Sequence, residues 1–171
     1  MKTTLKITVS AMLIAFDVVF TRLLAVNVLW VKLGFGFAAV ALCAMLWGPA
    51  WAGLCAAIGD LVGSLLFPTG GYFPGFTVTA AITGVIYGLF LYRERPGFVR
   101  CFLAALSNTV LVTLILNSLM IILVFQPAEV GPLMAARAVE AGLSLAAQTA
   151  VIYAFSASDV LYGKIRALGS R

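Results

Sequence analysis

Histidine is absent from this 171-residue chain. Without imidazole, Ser-His and Cys-His nucleophilic chemistry lose their usual base, and a catalytic zinc loses its commonest ligand. Cysteine is nearly absent as well. Cys43, Cys55 and Cys101 are an odd number, form no CxxC, and sit in or at the edge of apolar runs. They read as buried thiols rather than as a disulfide framework or a metal site. No GxxxxGK[ST] phosphate loop is present, so any ATP that drives this protein must be hydrolysed by a partner. Charge is the last scarcity. Only 10% of residues are Asp, Glu, Lys or Arg, against 63% hydrophobic, a balance that a soluble domain of this size cannot bury but a bilayer accepts. Nothing is left over for a soluble catalytic domain, and no cofactor is implied.

What is abundant is long apolar sequence, punctuated by charge, Pro and Gly. The runs are Lys6 to about Val26, Gly34 to Trp47, Trp51 to Phe67, Phe76 to Tyr92, Cys101 to Phe125, and Pro132 to about Tyr162. Several fall short of the ~20 residues that cross a bilayer alone, so tilt or flanking residues complete them. Gly48-Pro49 either separates two helices or kinks one long hairpin. The sixth run, at about 30 residues, exceeds one crossing, and its outer part carries Arg137 and Glu140. The expectation is an all-α integral membrane protein, a six-helix transmembrane bundle forming a single domain over residues 1–171. The basic, then apolar start resembles a secretory signal, but the run is long, holds Asp17 and Arg22, and lacks a small-residue cleavage site. It is expected to be retained as a helix.

Six crossings put both termini on one side. Lys2, Lys6, Arg93, Arg95, Arg100, Lys164, Arg166 and Arg171 then share that side, eight of the eleven Lys and Arg residues. Arg22, Lys32 and Arg137 fall on the other. The positive-inside rule therefore places both termini in the cytoplasm of a plasma membrane. The excess of basic residues is a topology signal, with attraction to anionic lipid as its corollary; nucleic-acid binding does not follow.

Charged groups inside a membrane cost roughly 2.5–3.5 kcal/mol each on insertion scales and need a partner, water or a ligand. Asp17, Arg22 and Asp60 fall within runs, and Asn108, Asn117 and Gln148 add amides. Arg22, Lys32, Asp60, Asn117 and Arg137 all belong to the outer half and are candidate substrate-binding residues. Three basic groups there suit an anionic ligand; a charge-balanced network in which Asp60 ties Arg22 or Arg137 into the bundle is the competing reading. Phe73 and Phe76 flank Pro74-Gly75 and, with Phe35, offer faces for a flat ring, while Trp30 and Tyr72 read as an interfacial belt. Helix four is expected to start near Thr77, whose free N–H groups would attract a negative or carbonyl group. On the first helix, Ala11 and Ala15 form a small-xxx-small pair, a pattern that permits close helix contact and is weak by itself.

Thr21-Arg22-Leu23-Leu24-Ala25, Lys32-Leu33-Gly34-Phe35-Gly36-Phe37, Gly48-Pro49 and Gly59-Asp60-Leu61-Val62-Gly63 together resemble the S component of an energy-coupling factor vitamin transporter. Tyr72-Phe73-Pro74-Gly75-Phe76-Thr77, the run Gly84 to Tyr92, and Leu116-Asn117-Ser118-Leu119 are similar to the folate members in particular. The resemblance implies a six-helix subunit that is not itself an enzyme. It would bind a vitamin, folate above all, on its extracellular side, and would associate with a transmembrane coupling subunit and two cytosolic ATPases. The family's AxxxA docking motif maps onto Ala11 and Ala15. Two positions depart from the family pattern: Lys32 stands where Arg is usual, and Met120 replaces the Trp of LNTLW. A folate is expected to place its ring among Phe73, Phe76 or Phe35, its carboxylates toward Lys32 or Arg137, and its ring edge against Asp60 or an Asn. The alternatives are an S component for pantothenate or cobalamin, a small intramembrane enzyme using Asp60 with Arg22, and a secondary transporter or channel subunit. No duplicated half supports the last of these.

Overall fold

Long apolar stretches run helical even through β-branched residues and glycine, because a backbone in lipid must satisfy its own hydrogen bonds. The computed structural model describes residues 2–23, 26–28, 31–68, 73–92, 95–125, 130–159, 162–163 and 167. Trp30, Tyr72, Arg93, Glu94, Glu129, Lys164, Arg166 and Arg171 lie outside the described residues. So do the stretches 69–72 and 126–129, which the sequence marks as turns; Lys2 and Lys32 are described in backbone only.

Helix α1 (Lys2–Val18) passes into a wider π turn, π1 (Val19–Leu23). A short antiparallel hairpin follows, β1 (Val26–Val28) and β2 (Val31–Leu33), pairing Val26 with Leu33, Asn27 with Lys32 and Val28 with Val31. Then come α2 (Phe37–Trp47), α3 (Pro49–Leu66) and α4 (Pro74–Leu91). Helix α5 (Phe98–Asn108) continues through a π segment, π2 (Thr109–Asn117), into α6 (Ser118–Phe125), and α7 (Val130–Ala157) closes the bundle. Among the described residues, five helical stretches are long and apolar enough to cross a membrane, and α2 is a shorter apolar sixth. Six helices fit this arrangement. The hairpin is an addition that the apolar runs did not announce.

Gly48 resolves the ambiguity at Gly48-Pro49. Its φ of +84° is left-handed, so α2 stops there, and Pro49 opens α3 as the residue of its first turn. α2 and α3 are two helices. α4 packs along α3 so closely that a Cβ on Gly84 would lie 2.5 Å from the backbone of Ala52. Around this seam the core is built of small and thiol-bearing residues, Ala41, Cys43, Ala44, Ala52, Cys55, Cys101 and Ala104, with Tyr87, Leu91 and Ile152. Small side chains let membrane helices approach without help from a hydrophobic driving force. All three cysteines are free and buried.

The Gly48 turn, the start of α1, the end of α4 and the end of α7 lie at one end of the bundle. Trp51 donates to Ser10 Oγ at 2.8 Å, Lys6 Nζ sits 3.9 Å over the Trp51 ring, and a Cβ on Gly48 would be 3.2 Å from the Tyr92 ring. At this end Arg95 caps α7. Its Nε donates to the Ser156 carbonyl and its Nη2 to that of Ala157, each at 2.9 Å, while Ser156 Oγ donates to the Pro96 carbonyl at 2.5 Å. A cation on the last carbonyls of a helix satisfies groups that have no partner within it. The Arg95–Asp159 pair adds little, because its side chains are 47% and 85% exposed. Arg95→Ala is accordingly expected to cost about 1–2 kcal/mol from the lost backbone bonds. A melting temperature lower by a few degrees, with ligand affinity unchanged, is the result to look for in purified protein.

Candidate functional site

At the opposite end the polar residues gather. Arg22 lies in the π1 turn that ends the first crossing, and its Nη2 donates to Asp60 Oδ1 at 3.3 Å and to Ser64 Oγ at 2.6 Å. Asp60 and Ser64 stand one turn apart on α3, so both reach the same guanidinium. Thr77 Oγ1, on α4, donates to the other Asp60 oxygen at 2.9 Å. Gly63 leaves the room: a Cβ there would be 3.2 Å from Arg22 Nε. The Arg22 and Asp60 side chains are only 10% and 18% exposed, so each depends on the other for its charge to be tolerated. Of the two partners the sequence allowed Asp60, the structure selects Arg22. Asp17, one turn below Thr21, accepts its hydroxyl at 3.1 Å and extends the cluster along α1.

A second polar wall stands on α7 and the π2 segment. Arg137 Nη1 donates to Glu140 Oε2 at 2.8 Å, with side chains 11% and 7% exposed. Arg137 Nε and Asn117 Oδ1 are both buried and without a hydrogen-bond partner among the described residues. β2, which carries Lys32, lies against α7. Arg22 and Arg137 therefore stand in two separate clusters at this end, each with an acidic partner.

Phe73 and Phe76 meet edge to face, 6.2 Å between centroids. Their backbone corrects one expectation. α4 begins at Pro74, with Phe76 N–H bonded to the Phe73 carbonyl at 3.0 Å, so Pro74-Gly75 is the first turn of the helix and not a break before it. Pro fixes the φ that a first helical residue needs and has no N–H to lose there. Thr77 therefore enters the site through its hydroxyl rather than through a free N–H. Met120 is close by, since a Cβ on Gly75 would fall 2.7 Å from its sulfur. Phe35 packs against Phe37 at 6.2 Å and is 46% exposed, separate from the Phe73–Phe76 pair.

Asn108 and Gln148 do different work. Tyr87 Oη donates to Gln148 Oε1 at 2.8 Å, and Asn108 Nδ2 reaches Tyr87 Oη at 3.2 Å and Gln148 Oε1 at 3.3 Å. This buried triad ties α4, α5 and α7 together and fixes their relative height. Ser64 and Glu140 were not among the sequence-derived site residues. Their signal was local: Ser64 follows Asp60 by one turn, and Glu140 follows Arg137 by three residues. Ala11 and Ala15 are exposed on α1.

Comparison with known proteins gives a consistent answer. The family model for "ECF transporter, substrate-specific component" matches residues 5–160. A folate transporter FolT of Clostridium novyi (strain NT) is 42% identical over 109 residues, 64% of this chain and 63% of that protein. A folate transporter FolT of Leuconostoc mesenteroides is 34% identical over 124 residues, 71% of this chain and 66% of that protein. The matched stretches thus span a little under two thirds of these relatives. The crystal structure of a FolT bound with folic acid superposes with a TM-score of 0.85 at 36% identity, covering 93% of this chain and 97% of the other.

Proposed function

We propose that this chain, which belongs to the family of ECF transporter substrate-specific components, binds a folate at the Arg22–Arg137 end of its bundle and surrenders it to partner subunits for import. The family is one of transporter substrate-binding components, and the chain is a multi-pass membrane protein. Two relatives that carry the name folate transporter, and a similar structure solved with folic acid, support the choice of vitamin. The observation that carries the reading is this end of the bundle: two largely buried guanidinium groups, Arg22 and Arg137, with Asn117 Oδ1 and Arg137 Nε buried and without a hydrogen-bond partner among the described residues.

A folate has a flat bicyclic head and two carboxylates. Phe73 and Phe76 offer the ring an apolar face, and the exposed Phe35 could close over it. Lys32, on the hairpin, and Arg22 supply positive charge for the carboxylates. Lys32 does so as a point charge and without the bidentate fork of an Arg. Asp60 has both oxygens engaged by Arg22 and Thr77, so it holds Arg22 in place rather than meeting the ring. Among the described residues Lys6 and Arg95 stand at the other end, which the positive-inside rule, applied to the sequence, makes cytoplasmic with both termini. There the exposed Ala11–Ala15 face meets the coupling subunit, and two ATPases provide the energy that a chain lacking a phosphate loop cannot generate. The whole chain acts as one substrate-binding domain.

Calorimetric titration of the purified protein with folic acid, pantothenate and cobalamin tests the assignment. Saturable one-to-one heat is expected with folic acid alone. Saturation by either of the others, with none by folic acid, would overturn it.

A further inference from the structure

Helix α1 is shallowly seated. Of its described side chains only Ser10 and Val18 are buried, at 4% and 8% exposure, while Val9, Leu13 and Ile14 are partly buried against the core. Leu5, Ile7, Met12 and Phe16 are large, apolar and exposed. Lipid tails are as apolar as these side chains, so packing of this kind does little to fix how a membrane helix is turned about its axis. Directional contacts do. Just beyond α1, at the ligand end, the Arg22–Asp60 pair supplies one. At the opposite end the contact is made by Trp51.

One indole is gripped twice by α1. Trp51 Nε1–H, which lies in the ring plane, donates to Ser10 Oγ at 2.8 Å, and Lys6 Nζ stands over the ring face, 3.9 Å from its centroid. Lys6 and Ser10 are four residues apart and so share one face of the helix. A bond in the ring plane and a cation on the ring face act in crossed directions. Together they fix both the rotation and the height of α1 against α3. Trp51 is itself well placed to hold them, because the left-handed Gly48 ends α2 and Pro49 opens α3, which sets the indole in the first turn of that helix. An interfacial indole ordinarily offers its N–H to headgroups; here a hydroxyl only 4% exposed receives it.

Helical geometry turns this grip into a direction. Ala11 lies about 100° around the helix from Ser10, Ala15 about 140°, and Thr4 and Thr8 about 120° and 160°. All four are exposed, so they form one small-residue track whose bearing is set by where Ser10 points. Ile7 and Met12 lie about 70° to either side of its centre, and a modest rotation of α1 brings one of them to the partner's side. We propose that Trp51, through Ser10 and Lys6, is a positioning residue for partner docking: it sets the bearing at which α1 presents the track and takes no part in binding the vitamin. This rests on the reading that the Ala11–Ala15 face meets the coupling subunit.

The test follows folic acid affinity, affinity for the purified coupling module, and the turn of α1, all on the full chain. Ser10→Ala removes the acceptor and little volume. It is expected to bind folic acid within about twofold of wild type and the coupling module about three- to tenfold more weakly, the range of one hydrogen bond. Spin labels on Met12→Cys and Leu89→Cys, both exposed positions, report the rotation. One narrow distance is expected with Ser10 in place, and a shifted or broadened one with Ser10→Ala. Trp51→Phe keeps a ring for Lys6 and loses the donor; added to Ser10→Ala it should weaken docking no further, since both remove the same bond. If Ser10→Ala does not fold, Trp51→Phe alone carries the same expectations. Unchanged docking or an unchanged label distance overturns the positioning role, as does a parallel fall in folic acid affinity and melting temperature, which would make the contact a tie of the fold. Ala15→Trp that docks as wild type does overturns the docking face instead.

Discussion

Ala15→Trp is expected to abolish vitamin uptake in cells that supply the coupling subunit and ATPases, while the purified variant binds folic acid as wild type does and melts at an unchanged temperature. Ala11 and Ala15 lie one turn apart, and both are exposed. Thr4 and Thr8 continue the same stripe toward the N-terminus, also exposed, and Thr8 Oγ1 donates back to the Thr4 carbonyl at 2.9 Å, which hides its polar group. The stripe is flanked by Ile7, Met12 and Phe16, large and exposed apolar side chains. A smooth track between apolar ridges lets a partner helix approach closely, and an indole at its centre would hold that helix several ångström away. Had Ala15 packed against this chain's own helices, the same substitution would have cost stability. Its exposure removes that route. Loss of binding or of melting temperature along with uptake would assign Ala15 to the fold, and unchanged uptake would remove the docking face altogether.

The sequence made the helices legible and left their contacts hidden. Charge and Pro/Gly punctuation delimited six runs because a membrane helix has few other ways to end, and the α2–α3 boundary fell at the residue whose positive φ requires glycine. The start of α4 was misplaced by about a turn because a Pro-Gly pair signals a break as readily as a first turn, and only the Phe76–Phe73 backbone bond separates the two. The strands Val26–Val28 and Val31–Leu33 are too short for their alternation to stand out from the apolar sequence on either side.

For the site, residue type and depth identified Arg22, Asp60, Asn117 and Arg137 as out of place in lipid, which is a property of each residue alone. Partnership is a property of packing. The Arg22–Asp60 pair joins positions 38 residues apart, and nothing in the chain ranks it above Arg137–Asp60. The π segments were invisible for a deeper reason. Periodicity reading assumes 3.6 residues per turn, and an extra residue per turn over 109–117 rotates Asn117 from one face to another without any change in composition.

The Arg22–Asp60 pair supports the second large expectation, and it separates what holds the bundle together from what holds the ligand. Asp60→Ala removes the carboxylate beside a guanidinium only about one-tenth exposed, removes one acceptor of Thr77, and should cost about 3–5 kcal/mol, the range for breaking a buried pair from one side. Both melting temperature and folic acid binding are expected to fall sharply, so the single variant cannot tell glue from site. Replacing both partners can. Arg22→Met with Asp60→Leu fills similar volume with apolar side chains, and such exchanges are often neutral or stabilising because no charge remains to be desolvated. The double variant should therefore recover most of the lost melting temperature and none of the binding, since the cation offered to the ligand's carboxylate is gone. Calorimetry and thermal melting on the three proteins decide it: recovery of folic acid binding together with stability would make the pair an internal tie and leave Lys32 as the cation for the tail.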